Sequence, residues 1–219
     1  MQLPTFKEES LLWERGVEFV IGVDEVGRGS FAGPVTAGAV IFRKRSIFEG
    51  GLLTKINDSK LLEPKIRESL SVEIKKEALC YATSTVGVST INNVGIGKAT
   101  QIAMRMAVES IMYKILSSKY RSDKFFVLID GFNIKHIRKI GLKNQKGIIK
   151  GDRKSISIAA ASIIAKVHRD GLMRKLNRKY PQYGFFQNKG YGTKFHQTAI
   201  KNHGLSDLHR TSFNLQKFL

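Results

Sequence analysis

Four carboxylates in this chain stand where packing alone gives them no reason to stand. Phe19-Val20-Ile21-Gly22-Val23 is a short apolar run followed directly by Asp24-Glu25. Phe125-Phe126-Val127-Leu128-Ile129 runs into Asp130-Gly131, and Gly147-Ile148-Ile149-Lys150-Gly151 runs into Asp152. Short runs rich in β-branched and aromatic residues read as buried strands, and ligands of open α/β sheets gather at strand ends. Four acids converging there would repel one another unless divalent cations neutralised them. Oxygen-only ligation without a Cys or His cluster selects magnesium or manganese over zinc. Two such ions about 3.5–4 Å apart could activate a water and stabilise the leaving oxygen of a phosphodiester. Asp24 and Glu25 raise a geometric difficulty, because successive residues of a strand face opposite sides. Both reach one site only if the strand ends or bends there, which Gly27 and Gly29 would permit. Any one acid is equally explained as a strand-end turn residue, and for Asp130-Gly131 taken alone that explanation is the better one.

The elements that must position these acids can be read along the chain. Residues 5–16 read as a short helix, with Trp13 as a packing anchor. Phe19 to Asp24 is a first strand and Pro34 to Phe42, small and β-branched, a second. They follow each other too closely for a helical crossover, so they should form an antiparallel hairpin in a mixed sheet. Gly50-Gly51 marks a turn, and Asn57-Asp58-Ser59-Lys60 a polar loop. Pro64 opens a helix to about Ala78, with Ile66, Leu70, Ile74 and Ala78 at helical spacing. Tyr81 to Val88 is a third strand. Ile96 to Leu116 is the clearest helix, with an apolar face of Ile102, Ala103, Met106, Ile111, Met112 and Ile115. Residues 132–146 read as a lysine-rich loop with a turn at Gly141. Ser155 to Leu176 is a long helix, apolar on all sides through Ala159–Ala165 and therefore buried in its N-terminal half. Interleaved strands and helices give an α/β class. No internal repeat or linker appears, so residues 1–219 read as one domain, with about 178–219 as a basic, turn-rich helical appendage carrying short helices near 194–202.

The bulk numbers bound the partner. A net charge of +19 over 219 residues favours an anionic partner, nucleic acid first. Surface lysines of a generally basic proteome explain the charge about as well. The single cysteine, Cys80, excludes an internal disulfide and fits a reducing compartment. No segment approaches bilayer-spanning length, and the N-terminus lacks a signal-peptide layout. A soluble cytoplasmic protein without a membrane partner is expected.

Three patterns imitate other chemistries. Gly27-x-Gly29-x-x-Ala32 after a strand imitates a dinucleotide fingerprint, but that motif needs a helix next and Pro34 opens a strand-like run. His168-Arg169-Asp170 imitates a kinase catalytic loop, yet it sits inside a helical pattern without its glycine loop. The five histidines, His136, His168, His196, His203 and His209, lack metal-ligand spacing and read as surface or packing residues.

Taken together, the motifs resemble a family. Gly22-Val23-Asp24-Glu25-Val26-Gly27-Arg28-Gly29 followed by Gly33-Pro34 is similar to the N-terminal signature of bacterial type 2 ribonucleases H, the ribonuclease HII family. The likeness continues in order through Asn57–Lys60, Ile129–Gly131, Lys150–Asp152, Ile158–Val167, Pro181–Phe185, Lys189–Thr193 and His209–Phe213. It spans roughly residues 20–213. The resemblance implies a ribonuclease H-like fold with a mixed five-stranded sheet and flanking helices. It implies an endonuclease that hydrolyses the RNA strand of RNA/DNA hybrids and incises at single ribonucleotides embedded in duplex DNA, leaving 5′-phosphate and 3′-hydroxyl ends. The family's metal-binding acids fall on Asp24, Glu25, Asp130 and Asp152, which would hold two Mg2+ or Mn2+ ions. Its glycine-arginine-glycine element for the 2′-hydroxyl falls on Gly27, Arg28 and Gly29, and its substrate-stacking tyrosine on Tyr191. Only about 20 residues precede the first motif and the fourth acid is aspartate, which favours type 2 over the sister type 3 enzymes. Two stretches depart from the pattern: the lysine-rich loop between Asp130 and Asp152 is longer, and Asn92-Asn93-Val94-Gly95 replaces a more acidic stretch.

The substrate would be an RNA/DNA hybrid or ribonucleotide-containing duplex, with lysines of 132–150 and the C-terminal region on its phosphates. A monomer is expected. The C-terminal Gln216-Lys217-Phe218-Leu219 has an aromatic end that could engage a sliding clamp, but a packed or frayed terminus explains it better. Two rivals stand beside this reading: a related DNA nuclease of the same fold group, and a non-catalytic basic nucleic-acid-binding protein. An arginine between two glycines beside the acids argues for reading a 2′-hydroxyl, and the non-catalytic rival needs no carboxylates at strand ends.

Overall fold

The structure is a computed structural model and describes residues 3–44, 56, 59, 62–116 and 124–219. Gly50-Gly51 and most of Asn57–Lys60 lie outside the described residues. Five strands form one mixed sheet in the order β3-β2-β1-β4-β5. They are β1 (Phe19–Val26), β2 (Val35–Ile41), β3 (Cys80–Val86), β4 (Phe125–Asp130) and β5 (Gln145–Ile148). The β1–β2 and β2–β3 pairs are antiparallel. The β1–β4 and β4–β5 pairs are parallel, so the expected hairpin in a mixed sheet is present.

The helices are α1 (Lys7–Glu14), α2 (Pro64–Glu77), α3 (Val88–Val94), α4 (Ile96–Leu116), α5 (Ile156–Asn177), α6 (Phe185–Asn188) and α7 (Lys194–His203). The central strand β1 is buried on both faces. On one face Ile21, Val23, Val35 and Val127 pack against Ala103, Ala107 and Ile111 of α4. On the other Val20, Val40 and Leu128 pack against Ala160, Ile163 and Ile164 of α5, with Phe6, Leu12 and Trp13 closing the end. Each large side chain buried in this way contributes about 1.5–3 kcal/mol. The alanines of α5 let the helix lie almost on the backbone of the sheet. At Gly22 a Cβ would fall 2.1 Å from the carbonyl carbon of Ser157, so glycine is required by the closeness of the helix.

Several local expectations change. The strand expected over Gly147–Asp152 is instead Gln145–Ile148. Lys150 takes a left-handed conformation (φ 55°, ψ 46°) and turns the chain into a 3₁₀ turn over Gly151–Arg153. The third strand lies within Cys80–Val86, because Val88 already belongs to α3, an element the pattern did not suggest. Ile66 and Met106 are exposed despite their helical spacing, and the stem of Arg67 takes the buried place on α2. The lysine-rich stretch after β4 is anchored by buried Ile134, Ile137 and Ile140. Trp13 packs on Phe6 at 5.6 Å between ring centres, as a packing anchor should.

The C-terminal residues build a third cluster around Met173, Tyr183, Phe185, Ala199 and Ile200. Phe218 belongs to it, lying 5.3 Å from Phe31 ring to ring, so the aromatic end is packed against its own chain. An isolated bridge between Ala32 and His209 ties this region to the loop that follows β1.

Candidate active site

Parallel pairing sets the first two acids side by side. Val23 of β1 is opposite Ile129 of β4, so Asp24 and Asp130 are the next residues on neighbouring strands. Asp24 is buried, and its Oδ1 accepts from the Glu25 amide at 2.6 Å. Burial raises its pKa well above the usual carboxylate range, and the charges of Glu25 and Asp130 push in the same direction. A hydrogen bond from Ser162 on α5 opposes them. Ser162 Oγ also lies 3.0 Å from Ser59 Oγ. Asp130 Oδ1 accepts from the Gly151 amide at 2.7 Å, which fixes the turn carrying Asp152 beside it. Asp152 is buried, but in the 3₁₀ turn. Of the four acids only Asp130 is the last residue of its strand, because β1 runs on to Val26 and Lys150 turns the chain before Asp152.

The strand does not stop at Asp24. It continues to Val26, so Glu25 alternates away from Asp24 and borders the adjoining cavity. Among the described residues, no group of three or more His, Cys, Asp and Glu side chains is arranged to hold a metal ion outright. The donor chemistry nonetheless fits a hard divalent cation. The donors are oxygen atoms, and Asp24 is disfavoured as an anion by the neighbouring acids, a condition that a bound cation relieves.

The cavity beside the acids holds about 610 Å³ and is bordered by Glu25, Gly27, Arg28, Gly29, Lys166 and Tyr191 among others. The structure thus brings the glycine-arginine-glycine loop and Tyr191, whose nearest members Gly29 and Tyr191 lie 162 residues apart in sequence, to one opening. The Tyr191 ring lies 5.6 Å from Lys166 Nζ and 5.5 Å from the Arg169 guanidinium carbon. A second cavity of about 540 Å³ continues past Lys166 to Arg67, Arg174 and Lys189. Asp170 ties part of this cationic wall together, 2.9 Å from Lys166 Nζ and 3.8 Å from Arg67.

Sequence reasoning missed Arg67, Lys166, Asp170 and, above all, Arg169. The triplet His168-Arg169-Asp170, which only imitates a kinase motif, lies within α5. The available signal was its spacing: Arg169 lies four residues from Ala165 and four from Met173, on the buried face of α5. His196 and His209 are packing residues, as expected, but they form a buried pair, Nε2 to Nε2 3.1 Å. His136 is exposed.

The family model described as Ribonuclease HII matches residues 21–216. A Ribonuclease HII of Caldicellulosiruptor bescii is 44% identical over 208 residues, covering 95% of this chain and 92% of that protein. Among solved structures, the ribonuclease H2 of Pyrococcus horikoshii OT3 superposes with a TM-score of 0.69 at 23% identity, covering 91% of this chain and 96% of the other. Bst-RNase HIII in complex with Mn2+ superposes with a TM-score of 0.67 at 18% identity, covering 94% and 70%. These two likenesses establish the ribonuclease H-like fold. By its family match and by its identity to such relatives over nearly its whole length, the chain belongs to the ribonuclease HII family.

Proposed function

We propose that the carboxylate corner and the glycine-loop cavity form one active site, with the acids acting on the phosphate and the cavity reading the sugar. As a ribonuclease HII family member the chain is an endonuclease that hydrolyses the RNA strand of RNA/DNA hybrids. The finer reading is that it also incises at single ribonucleotides embedded in duplex DNA. The observation that carries it is the adjacency of Asp24, crowded by Glu25 and Asp130, to an opening bordered by Gly27, Arg28, Gly29 and Tyr191.

Asp24, Glu25, Asp130 and Asp152 would hold Mg2+ or Mn2+, two ions in all. When bound, such ions supply an activated water and charge neutralisation at the phosphodiester, leaving 5′-phosphate and 3′-hydroxyl ends. The chain's own groups orient the acids: Ser162 and the Glu25 amide hold Asp24, and the Gly151 amide holds Asp130. Backbone at Gly27 and Gly29 can approach a 2′-hydroxyl closely, because no Cβ intervenes. The Tyr191 ring would pack on the adjoining sugar, where a missing 2′-hydroxyl leaves room. Lys166, Arg174 and Lys189 in the continuing cavity would take backbone phosphates. The protein would act as a monomer.

The test is cleavage of a duplex carrying one ribonucleotide, beside an all-DNA duplex, with and without Mg2+ or Mn2+. Metal-dependent incision of the first alone is expected. Equal cleavage of both would remove the sugar-reading role of the cavity.

A further inference from the structure

Arg169 and Arg210 are the two largest fully buried side chains, each 0% exposed. A buried guanidinium without partners is costly. Among the described residues neither forms an ion pair with a carboxylate; their donors end on backbone carbonyls and, for Arg169, on the Ser30 hydroxyl as well. Arg210 Nη1 donates to the Arg28 carbonyl at 2.8 Å and Nη2 to the Gly27 carbonyl at 2.7 Å. Nε and Nη2 reach the Gly33 carbonyl at 3.0 and 2.9 Å. Arg169 takes the other flank. Its Nε donates to the Pro34 carbonyl at 2.8 Å, Nη1 to the Lys189 carbonyl at 2.9 Å and Nη2 to Ser30 Oγ at 2.9 Å. The fit leaves no clearance, since a Cβ on Gly27 (φ +92°) would fall 2.0 Å from Arg169 Nε.

A peptide unit is planar and trans, so its C=O and its N–H point in opposite directions. Drawing the Gly27 carbonyl inward therefore turns the Arg28 amide outward. Drawing the Arg28 carbonyl inward turns the Gly29 amide outward in the same way. Among the described residues neither amide has an acceptor, and both residues border the cavity beside the acids.

We propose that Arg210, with Arg169 on the opposite flank, is the positioning residue that aims the Arg28 and Gly29 amides into the cavity as a ready pair of donors for a sugar oxygen. Arg210 touches no substrate in this arrangement; it acts through the loop's carbonyls. A lysine cannot replace it, because one ammonium lacks the planar fork that holds three carbonyls at once. Burial and the neighbouring Arg169 charge push the Arg210 pKa down to about 9, which leaves it protonated at neutral pH. The inference rests on the proposed role of the cavity in reading the sugar.

The test uses Arg210→Lys in the Asp130→Asn background, where cleavage is blocked, with calcium present. Affinity is measured for a one-ribonucleotide duplex and for its all-DNA counterpart, with near-ultraviolet circular dichroism as the check on folding. We expect the ribonucleotide preference to fall by about fivefold or more, while all-DNA affinity changes less than about twofold. A folded variant with its preference intact overturns the proposal. If the Asp130→Asn parent itself shows no preference, the sugar-reading role of the cavity fails. The positioning claim is then decided by hydrogen exchange at the amides of Ser30–Gly33. These amides donate to Gly27, Gly190 and Leu208 carbonyls within the clamped loop. Faster exchange there in Arg210→Lys, with α4 unchanged, supports it, and unchanged exchange refutes it. Arg169→Lys carries the same readouts where Arg210→Lys fails to fold.

Discussion

The carboxylate corner and the glycine loop lie side by side, yet they solve the problem of buried charge in opposite ways. In the corner, like charges are brought together, and burial, then the charges of Glu25 and Asp130, disfavour the Asp24 anion. In the loop, two buried cations lie close to each other, but their donors are taken by the carbonyls of Gly27, Arg28, Gly33, Pro34 and Lys189. Backbone dipoles can satisfy a guanidinium fork without any countercharge. They cannot do so for a set of carboxylates sharing one space, so the corner calls for the outside cation proposed above, while the loop is satisfied within the chain. The corner is thus built to bind, and the loop to stay still.

This contrast can be broken most severely at the corner. Asp130→Asn removes one ligand charge but keeps the shape and the Gly151 contact. If several kcal/mol of charge stabilisation is lost, cleavage falls by about a thousandfold or more while the fold survives. Single-turnover assays beside circular dichroism check this, and near-normal turnover would take Asp130 out of the metal set.

On the cavity side, Tyr191→Ala should lose about 5- to 100-fold in cleavage at a single ribonucleotide, as expected from one lost stacking contact. Its melting temperature should change little, because the residue is partly exposed. Tyr191→Phe should lose less if stacking dominates, and as much if the hydroxyl positions a phosphate. Steady-state assays on one-ribonucleotide duplexes separate these outcomes.

A smaller effect tests whether the corner is strained. A carboxyl whose folded pKa is raised destabilises the fold at high pH; the penalty declines as pH falls below that pKa and is gone below the ordinary carboxylate range. Asp24→Asn should therefore raise the melting temperature of the metal-free protein in EDTA, by about 2–4 °C per kcal/mol relieved. An unchanged or lower value, measured calorimetrically at neutral pH, would mean that Asp24 is not strained.

The smallest effect belongs to the histidine pair behind Tyr191. His196 Nδ1 lies 2.9 Å from the Tyr191 carbonyl and, through Nε2, meets His209, whose Nδ1 accepts from the Ser206 amide. The one arrangement that satisfies every nitrogen has both rings neutral, with His209 donating to His196 and His196 to Tyr191. Burial, then the neighbouring His196, pushes the His209 pKa from 6.5 down to about 4. The unfolded chain takes up this proton first as pH falls. The pair's contribution to stability is whole above the ordinary histidine range and is lost between about pH 6.5 and 4. The melting temperature of wild type minus that of His209→Gln should shrink through that window. A constant difference would show that the pair does not titrate there.

Much of the fold was legible because its period was strong. The α4 bounds, the central apolar strands and the antiparallel start follow from local pattern and loop length, and Asp24, Asp130 and Asp152 declared themselves as acids where packing needs none. Boundaries failed where one residue's backbone state decided them, as at Lys150, whose left-handed turn moves Asp152 off the strand.

What the sequence by itself determined is the chemistry: four acids, a glycine-flanked arginine and a tyrosine between glycines, in an order that resembles one family from end to end. What only the tertiary structure decided is who holds these groups in place. Arg169 was hidden in a helix and Arg210 in a C-terminal turn, 135 and 177 residues from Pro34 and Gly33, the positions whose carbonyls they hold. Local patterning reports periodicity and composition, whereas a buried cation satisfied by backbone oxygens depends on which carbonyls distant chain segments present. That information arises only when the segments meet.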